Sequence, residues 1–83
     1  MLFGFIRSQN VVKAIEIYKA EADKSNGHPT ALNALGDIYE NGKFVAKDMN
    51  KSVRYYKKSA DKNDAEGLYK IGQFLEKGII NSK

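Results

Sequence analysis

Apolar residues recur at spacings of three and four positions in four successive segments of this chain, with polar residues between them. Such spacing places the apolar side chains on one face of an α-helix. Asn10 is a favourable residue to begin the first helix, Gly27 supplies a left-handed turn to end it, and Pro29 fits the first turn of the second helix. The pattern predicts an all-α chain with helices over about residues 10–25, 29–41, 49–62 and 65–77.

The four segments form two alternating types. Residues 13–24 match residues 51–62 at an offset of 38 positions, and residues 35–42 match residues 71–78 at an offset of 36. A repeat of this length built from two helical patterns indicates an α-solenoid, which is a stack of helix hairpins. We therefore expect one helical-repeat domain over residues 1–83, in which the first helix caps the stack.

Glycines inside the second and fourth helices indicate how the helices pack. Gly36 and Gly72 occupy equivalent positions, and each costs about 1 kcal/mol relative to Ala in a helix interior. Close approach of a neighbouring helix would offset that cost, so we expect both glycines to lie against one. We also expect the apolar face of the fourth helix to be buried, with these residues inside: Leu68, Ile71, Phe74 and Leu75.

The best-defined repeat pattern begins at residue 31 and ends at residue 64. It combines small residues, a Leu-Gly pair, a loop aspartate and aromatic positions: Ala31, Leu35, Gly36, Tyr39, Gly42, Val45, Asp48, Lys51, Ser52, Tyr55, Ser59 and Ala60. In these positions the segment resembles the Sel-1-like repeat family, a relative of the tetratricopeptide repeats, with Phe44 in place of the second loop glycine. The resemblance covers one full repeat with half a repeat on each side. It implies a short α-solenoid of about two helix hairpins, made of four helices.

The residue types present narrow the classes of function. The chain has no cysteine, which excludes disulfides, thiolate metal sites and cysteine nucleophiles. His28 is the only histidine and lies in a Gly-His-Pro turn, whereas a catalytic or metal site requires several convergent groups. The glycines are too far apart for a phosphate-binding loop, and the carboxylates lack a metal-ligand pattern. We therefore expect a protein that is not an enzyme and holds no cofactor or metal.

The resemblance also implies a surface for a protein partner. In tetratricopeptide-like folds the first helix of each hairpin lines a concave groove, at positions that are set by the Leu-Gly pair. Transferred to this chain, the groove positions are Asn33, Asp37, Glu40, Asn41, Tyr69, Gln73, Glu76 and Lys77. An aromatic residue among amides and charges suits the recognition of an extended peptide, although these positions are also compatible with simple solvation. The leading hypothesis is a non-enzymatic protein–protein interaction module, a small inhibitor, regulator or adaptor that binds a larger protein.

Charge suggests an alternative function. The net charge is +4, and the predicted third helix aligns four basic residues on one face: Lys47, Lys51, Arg54 and Lys58. Such a face can bind nucleic acid or another acidic surface electrostatically, and Tyr55 could add stacking. The competing interpretation is an ordinary solvated outer face of a hairpin.

One complete repeat flanked by two halves leaves apolar residues near both ends without a covering helix: Leu2, Phe3, Phe5, Ile6, Ile79 and Ile80. The N-terminal group is far too short to span a membrane or to form a signal-peptide core. We interpret the chain as cytoplasmic, without a membrane contact. We expect the apolar ends to fold back as caps or to form an interface, either with a target protein or with a second copy in a homodimer.

Overall fold

A computed structural model describes residues 2–24 and 27–80 of the chain, and for residues 2–9 it describes the backbone alone. The described residues contain four helices and no strand: α1 (Leu2–Asp23), α2 (Pro29–Asn41), α3 (Met49–Asp61) and α4 (Ala65–Glu76). Each helix packs against the next one along the chain, and α2 also contacts α4. The predicted all-α solenoid of four helices is thereby confirmed.

The first helix is longer than the sequence pattern predicts. It begins at Leu2, so Asn10 lies inside α1 and does not cap it. The preference of asparagine for a helix start is local, and it is overridden when the residues before it are themselves able to form helix. Here neither Pro nor a run of turn residues interrupts the chain before Asn10, and the helix continues through it.

Gly27 lies close against the end of α1. The described glycines with positive φ are Gly42 and Gly78, at 66° and 74°. A Cβ atom at Gly27 would lie 2.8 Å from the Ala22 carbonyl oxygen, so the absence of a side chain permits a close approach to the end of α1. The predicted left-handed turn at Gly27 depends on the backbone of Asn26, which lies outside the described residues, so it stays a prediction.

Side-chain caps fix where the last two helices begin. The Asp48 carboxylate accepts a hydrogen bond from the Lys51 N–H at 3.1 Å, and Asp64 accepts one from the Gly67 N–H at 3.2 Å. Between α2 and α3, Phe44 adopts a φ of 66°, a left-handed conformation that favours glycine. The loop therefore keeps a turn suited to glycine although a bulky aromatic residue occupies it.

The core is built around α2, and α3 joins α2 to α4. Leu32 and Leu35 of α2 are buried in a cluster with residues of α1. On the α3 side, the Tyr56 ring is fully buried and meets Phe74 of α4 edge-on, with ring centroids 5.8 Å apart. A Cβ atom at Gly36 would lie 2.7 Å from that ring, so the predicted close approach at Gly36 is present.

The Ser52 hydroxyl donates a hydrogen bond of 2.7 Å to the Gly36 carbonyl, which fixes the contact between α2 and α3. Gly67 has a similar role between α3 and α4, because a Cβ there would lie 2.6 Å from the Ala60 nitrogen. Gly72 differs, since no atom lies within 4 Å of a Cβ built on it. The expectation that Gly72 lies against a neighbouring helix is therefore wrong for the described residues.

Candidate functional site

The α2 and α4 helices lie side by side and carry seven of the eight predicted groove positions, and the eighth, Lys77, directly follows α4. Two polar contacts join the helices. The Asn33 Nδ2 atom donates hydrogen bonds to Asp64 Oδ2 at 2.8 Å and to Glu66 Oε2 at 3.3 Å. Further along, Lys70 Nζ donates to Glu40 Oε1 at 3.0 Å. The N-terminal half of α2 thus contacts the beginning of α4, and a later residue of α2 contacts a later residue of α4, so the two helices run in the same direction.

Asn33 is not presented to a partner, in contrast to the sequence-based expectation. Its side chain is buried, and its amide group contacts the aspartate that caps α4. The Asn33 amide, followed by the Gly67 N–H, holds the pKa of Asp64 below its ordinary value. Asn33 therefore connects α2 to the beginning of α4, because its position faces the next hairpin of the stack.

The ion pair between Glu40 and Lys70 lies mostly out of solvent. Lys70 Nζ also lies 5.5 Å from the centroid of the Tyr56 ring. The Tyr56 hydroxyl is buried and makes no hydrogen bond to any described residue. Burial, followed by the nearby carboxylates of Glu40, Asp37 and Glu66, raises the pKa of Tyr56. Glu40 is thus engaged with α4, whereas Lys70, which holds it there, was not identified from the sequence.

Four further groove positions, each partly or well exposed, form two short-range pairs, one on each helix. On α2, Asn41 Nδ2 donates to Asp37 Oδ1 at 2.7 Å. On α4, Gln73 Nε2 donates to the Tyr69 hydroxyl at 2.9 Å, and the Tyr69 side chain is 63% exposed. We call these four residues, together with the Glu40–Lys70 pair that joins their helices, the α2–α4 surface.

The α2–α4 surface is acidic although the chain as a whole is basic. Along α2, α4 and the two residues that flank α4, there are five carboxylates and two lysine amines: Asp37, Glu40, Asp64, Glu66 and Glu76, with Lys70 and Lys77. Glu76 and Lys77 are exposed at the C-terminal end of α4. The chemistry available is an aromatic ring with amide and carboxylate acceptors beside it, which suits N–H donors and cations.

The four predicted basic residues are all exposed, with Lys47 in the loop before α3 and the other three on α3. Two of these residues lie close to other groups of the protein, which limits their availability to a ligand. Lys51 Nζ lies 5.1 Å from the centroid of the Tyr39 ring, which it covers. Lys58 lies beside Asp23 and Asp61 around a shallow pocket. In this row Lys51 is therefore engaged with a tyrosine of α2, and two carboxylates line the same pocket as Lys58.

Tyr55, which the sequence analysis suggested as a stacking residue for a nucleic acid on this face, is already stacked on another tyrosine. Its ring lies on that of Tyr39, with centroids 5.9 Å apart and an angle of 13° between the planes. Burial is the main cause that raises the pKa of Tyr55. A contact with the Tyr39 hydroxyl raises the pKa of Lys19 on the neighbouring helix. This pair of tyrosines thus packs α2 against α3.

His28 precedes the first residue of α2, and its side chain is well exposed. Its Nε2 atom lies 3.8 Å from Glu21 Oε2, and it makes no side-chain cap to the helix. Among residues 2–24 and 27–80, no three His, Asp or Glu side chains come together in a way that could hold a metal ion.

The apolar ends are described only in part. Ile79 is exposed and Ile80 is partly buried, and their N–H groups face the Phe74 carbonyl at 2.8 and 3.4 Å. The side chains of Leu2, Phe3, Phe5 and Ile6 lie outside the described residues. None of the four helices, as far as they are described, combines the length and the apolar content that a membrane crossing requires.

Comparison with known proteins bears on the repeat pattern. The family model for the Sel1 repeat matches residues 29–64. Chitin synthase regulatory factor 3 of Schizosaccharomyces pombe (strain 972) is 30% identical over an alignment of 89 positions. The alignment covers 99% of this chain and 9% of the relative. The chain thus spans less than a tenth of the length of this curated relative. No solved structure matches the chain significantly.

Proposed function

Because this chain carries a repeat of the Sel1 family, we propose that it is a non-enzymatic protein-interaction module whose α2–α4 surface binds an extended, basic segment of a larger protein. Sel1 repeats generally mediate protein–protein interactions. The observation that carries the proposal is the exposed Tyr69 ring on an acidic surface shared by two parallel helices.

Three features of the α2–α4 surface support a peptide ligand. Tyr69 offers a large apolar area at small entropic cost, as aromatic residues do in binding sites. Gln73 and Asn41 have amide groups that can exchange their present partners for the backbone of an extended chain. The Glu40–Lys70 pair holds the two helices at a fixed separation, so little ordering is required on binding.

The charge of the surface favours a basic ligand. Asp37 lies on α2 one turn before Glu40, and Lys70 pairs with Glu40. Among the described residues, the side-chain partner of Asp37 is the Asn41 amide, and no cationic side chain forms a hydrogen bond with Asp37. A lysine or arginine of the ligand can pair with it. Repulsion between this surface and acidic peptides adds specificity, because an unpaired carboxylate beside Asp37 would be unfavourable.

The biological role proposed for the module is regulation by occupancy. A small inhibitor, regulator or adaptor acts by covering the surface of its target and requires no chemistry of its own. The name of the yeast relative contains the words regulatory factor, which agrees with such a role, but the alignment covers 9% of that protein. The partner of this chain is therefore proposed by chemistry alone.

Calorimetric titration tests the proposal with peptides selected from a random library. We expect selection to enrich basic, extended sequences, and we expect Tyr69→Ala and Asp37→Ala each to weaken their binding by about 1–3 kcal/mol, which is roughly a tenfold to hundredfold loss. The matched control is the double variant Lys51→Glu, Arg54→Glu, which alters α3 and leaves the α2–α4 surface intact. Selection of acidic peptides, or loss of binding in the control alone, would contradict the proposal.

A second candidate function rests on the exposed cations of the α3 face. Lys47, Lys51, Arg54 and Lys58 are accessible together, and such a row can bind a phosphate backbone. The stacked position of Tyr55 removes the aromatic contact that would strengthen it. A gel-shift assay at low salt discriminates the two functions, because charge reversal at Lys51 and Arg54 abolishes retention under this alternative.

A further inference from the structure

The face that α3 covers on α2 has an uncovered equivalent on α4. The two helices match at an offset of 36 residues. Leu32 of α2 lies in the core cluster shared with α1 and is 1% exposed, whereas its counterpart Leu68 is 50% exposed. Tyr39 is 5% exposed, and its counterpart Leu75 is 39% exposed. The sequence predicted Leu68 and Leu75 to be buried, and the structure shows that they lie on an open face of α4.

Gly72 lies on the same open face, between these two leucines in sequence. Its counterpart Gly36 receives the Tyr56 ring of α3 and could not hold a Cβ atom without a clash. Gly72 keeps the same small shape, but no described atom lies within 4 Å of a Cβ at that position. The face of α4 therefore has the form of a helix surface that receives an aromatic ring, flanked by two apolar side chains.

The complementary pattern occurs on α1. This helix matches α3 at an offset of 38 residues, so Tyr18 corresponds to Tyr56 and Ala14 to Ser52. Tyr56 and Ser52 are fully buried between α2 and α4, whereas Tyr18 and Ala14 are partly exposed. Ile17 corresponds to Tyr55, which stacks on Tyr39 of α2. The Ile17 side chain is 62% exposed.

The reason for both open faces is the same. The α3 helix packs against α2 on one side and against α4 on the other. Among the described helices, α1 packs against α2 alone, and α4 packs mainly against α3. Thus α1 exposes the side that would face a preceding helix of the α2 type. The α4 helix exposes the side that would face a following helix of the α3 type.

We propose that α4 of one molecule is covered by α1 of a second copy of this chain, so that Tyr18 of the second copy packs on Gly72 of the first. In this arrangement Ile17 contacts Leu75, as Tyr55 contacts Tyr39 within the chain. The occupant is a second copy because α1 already carries a small residue followed four positions later by tyrosine, the pattern by which α3 covers α2. The contact continues an interface that the fold already uses once.

This contact joins two different faces, so each molecule in a pair retains one open face. A contact of this kind is heterologous and does not close into a symmetric dimer, but extends into chains as concentration rises. It uses the stripe of Leu68, Gly72 and Leu75 and not the exposed pairs of the α2–α4 surface. The proposal therefore stands or fails independently of peptide binding.

Sedimentation velocity of the full chain tests the assembly. We expect the weight-average mass to rise past that of a dimer between about 10 μM and about 1 mM, a range typical of weak interfaces. Two exposed substitutions block one face each: Ile17→Glu on α1 and Gly72→Glu on α4. Both sites are open in the single molecule, so circular dichroism is expected to show an intact fold, and each variant is expected to remain a monomer.

Mixing the two variants provides the decisive result. Ile17→Glu retains a usable α4 face and Gly72→Glu retains a usable α1 face, so an equal mixture forms one heterologous contact and stops at a dimer. Phe44→Asn serves as the control, because it removes an exposed aromatic residue outside both faces at a position whose left-handed φ suits asparagine. A wild type that stays monomeric, or variants that associate like it, would overturn the proposal. A mixture that stays monomeric although wild type associates would overturn it as well.

Discussion

Gly36 and Gly72 occupy equivalent positions in the repeat, yet their surroundings differ completely. The Tyr56 ring lies where a Cβ of Gly36 would be, and no described atom lies near a Cβ of Gly72. Helix propensity favours alanine equally at both sites, so a difference between the two substitutions reports packing alone.

We predict opposite effects of alanine at these two positions. Gly36→Ala is expected to lower the free energy of unfolding by about 1–3 kcal/mol, because the added methyl group forces the Tyr56 ring to move. Gly72→Ala is expected to raise it by about 0.5–1 kcal/mol. Urea denaturation at low micromolar protein concentration measures both, and equal effects at the two sites would contradict the packing described.

Asn33 gives a prediction with a defined pH dependence. The pKa of Asp64 is lowered in the folded protein, mainly by Asn33, so the unfolded chain binds this proton more readily. The stability that this contact contributes is therefore present above the ordinary pKa of 3.8 and is lost as the pH falls through the folded value. We expect Asn33→Ala to lower the melting temperature at pH 7 and to have a smaller effect near pH 3, about one unit below that pKa. A difference between variant and wild type that does not change with pH would contradict this assignment.

At the scale of helices, α3 connects the stack because Tyr56 contacts both α2 and α4. Its ring fills the space over Gly36 and meets Phe74, while its hydroxyl is buried without a described hydrogen-bond partner. The ring and the hydroxyl group thus contribute with opposite sign.

Two substitutions at Tyr56 separate these contributions. Tyr56→Phe keeps the ring and removes the unpaired hydroxyl, so we expect the free energy of unfolding to stay the same or to rise by about 1 kcal/mol. Tyr56→Ala leaves a cavity between three helices and is expected to cost about 3–5 kcal/mol, by analogy with large aromatic truncations. Thermal and urea unfolding measure both variants; a loss of more than about 1 kcal/mol in Tyr56→Phe would show that the hydroxyl is hydrogen-bonded.

The periodicity of the sequence predicted the four helices because the spacing of neighbouring apolar residues identifies the apolar face of a helix. The caps at Asp48 and Asp64 belong to the same local chemistry. Whether a face is covered depends on a neighbour, which local spacing does not report. Leu68 and Gly72 were therefore expected to be buried like Leu32 and Gly36, and they are open.

The positions of the proposed groove residues on the helices were predictable for a similar reason, whereas their contacts were not. The family pattern identified which turn of α2 and α4 faces the same side, and Tyr69 is exposed there. It did not distinguish positions that are open to solvent from those that face the next helix. Asn33 and Glu40 are of the second kind, and Lys70 was not identified because its role appears only when the two helices lie side by side.

At the scale of the whole molecule, charge is divided between two surfaces. The α2–α4 surface is acidic, while the exposed part of α3 carries the basic row that contributes to a net charge of +4. The two proposed ligand classes are therefore expected at different places on the molecule. The open faces of α1 and α4 are a third region, suited to another helix and not to an extended chain.

The location of a bound peptide tests the central claim most directly. Amide chemical shifts of the labelled protein are followed by NMR while a selected basic peptide is added. We predict that the largest changes fall on the α2–α4 surface, at Asp37, Asn41, Tyr69 and Gln73, and that the amides of residues 51–58 on α3 change little. Changes centred on α3, or on the open faces of α1 and α4, would contradict the proposal that this surface is the binding site.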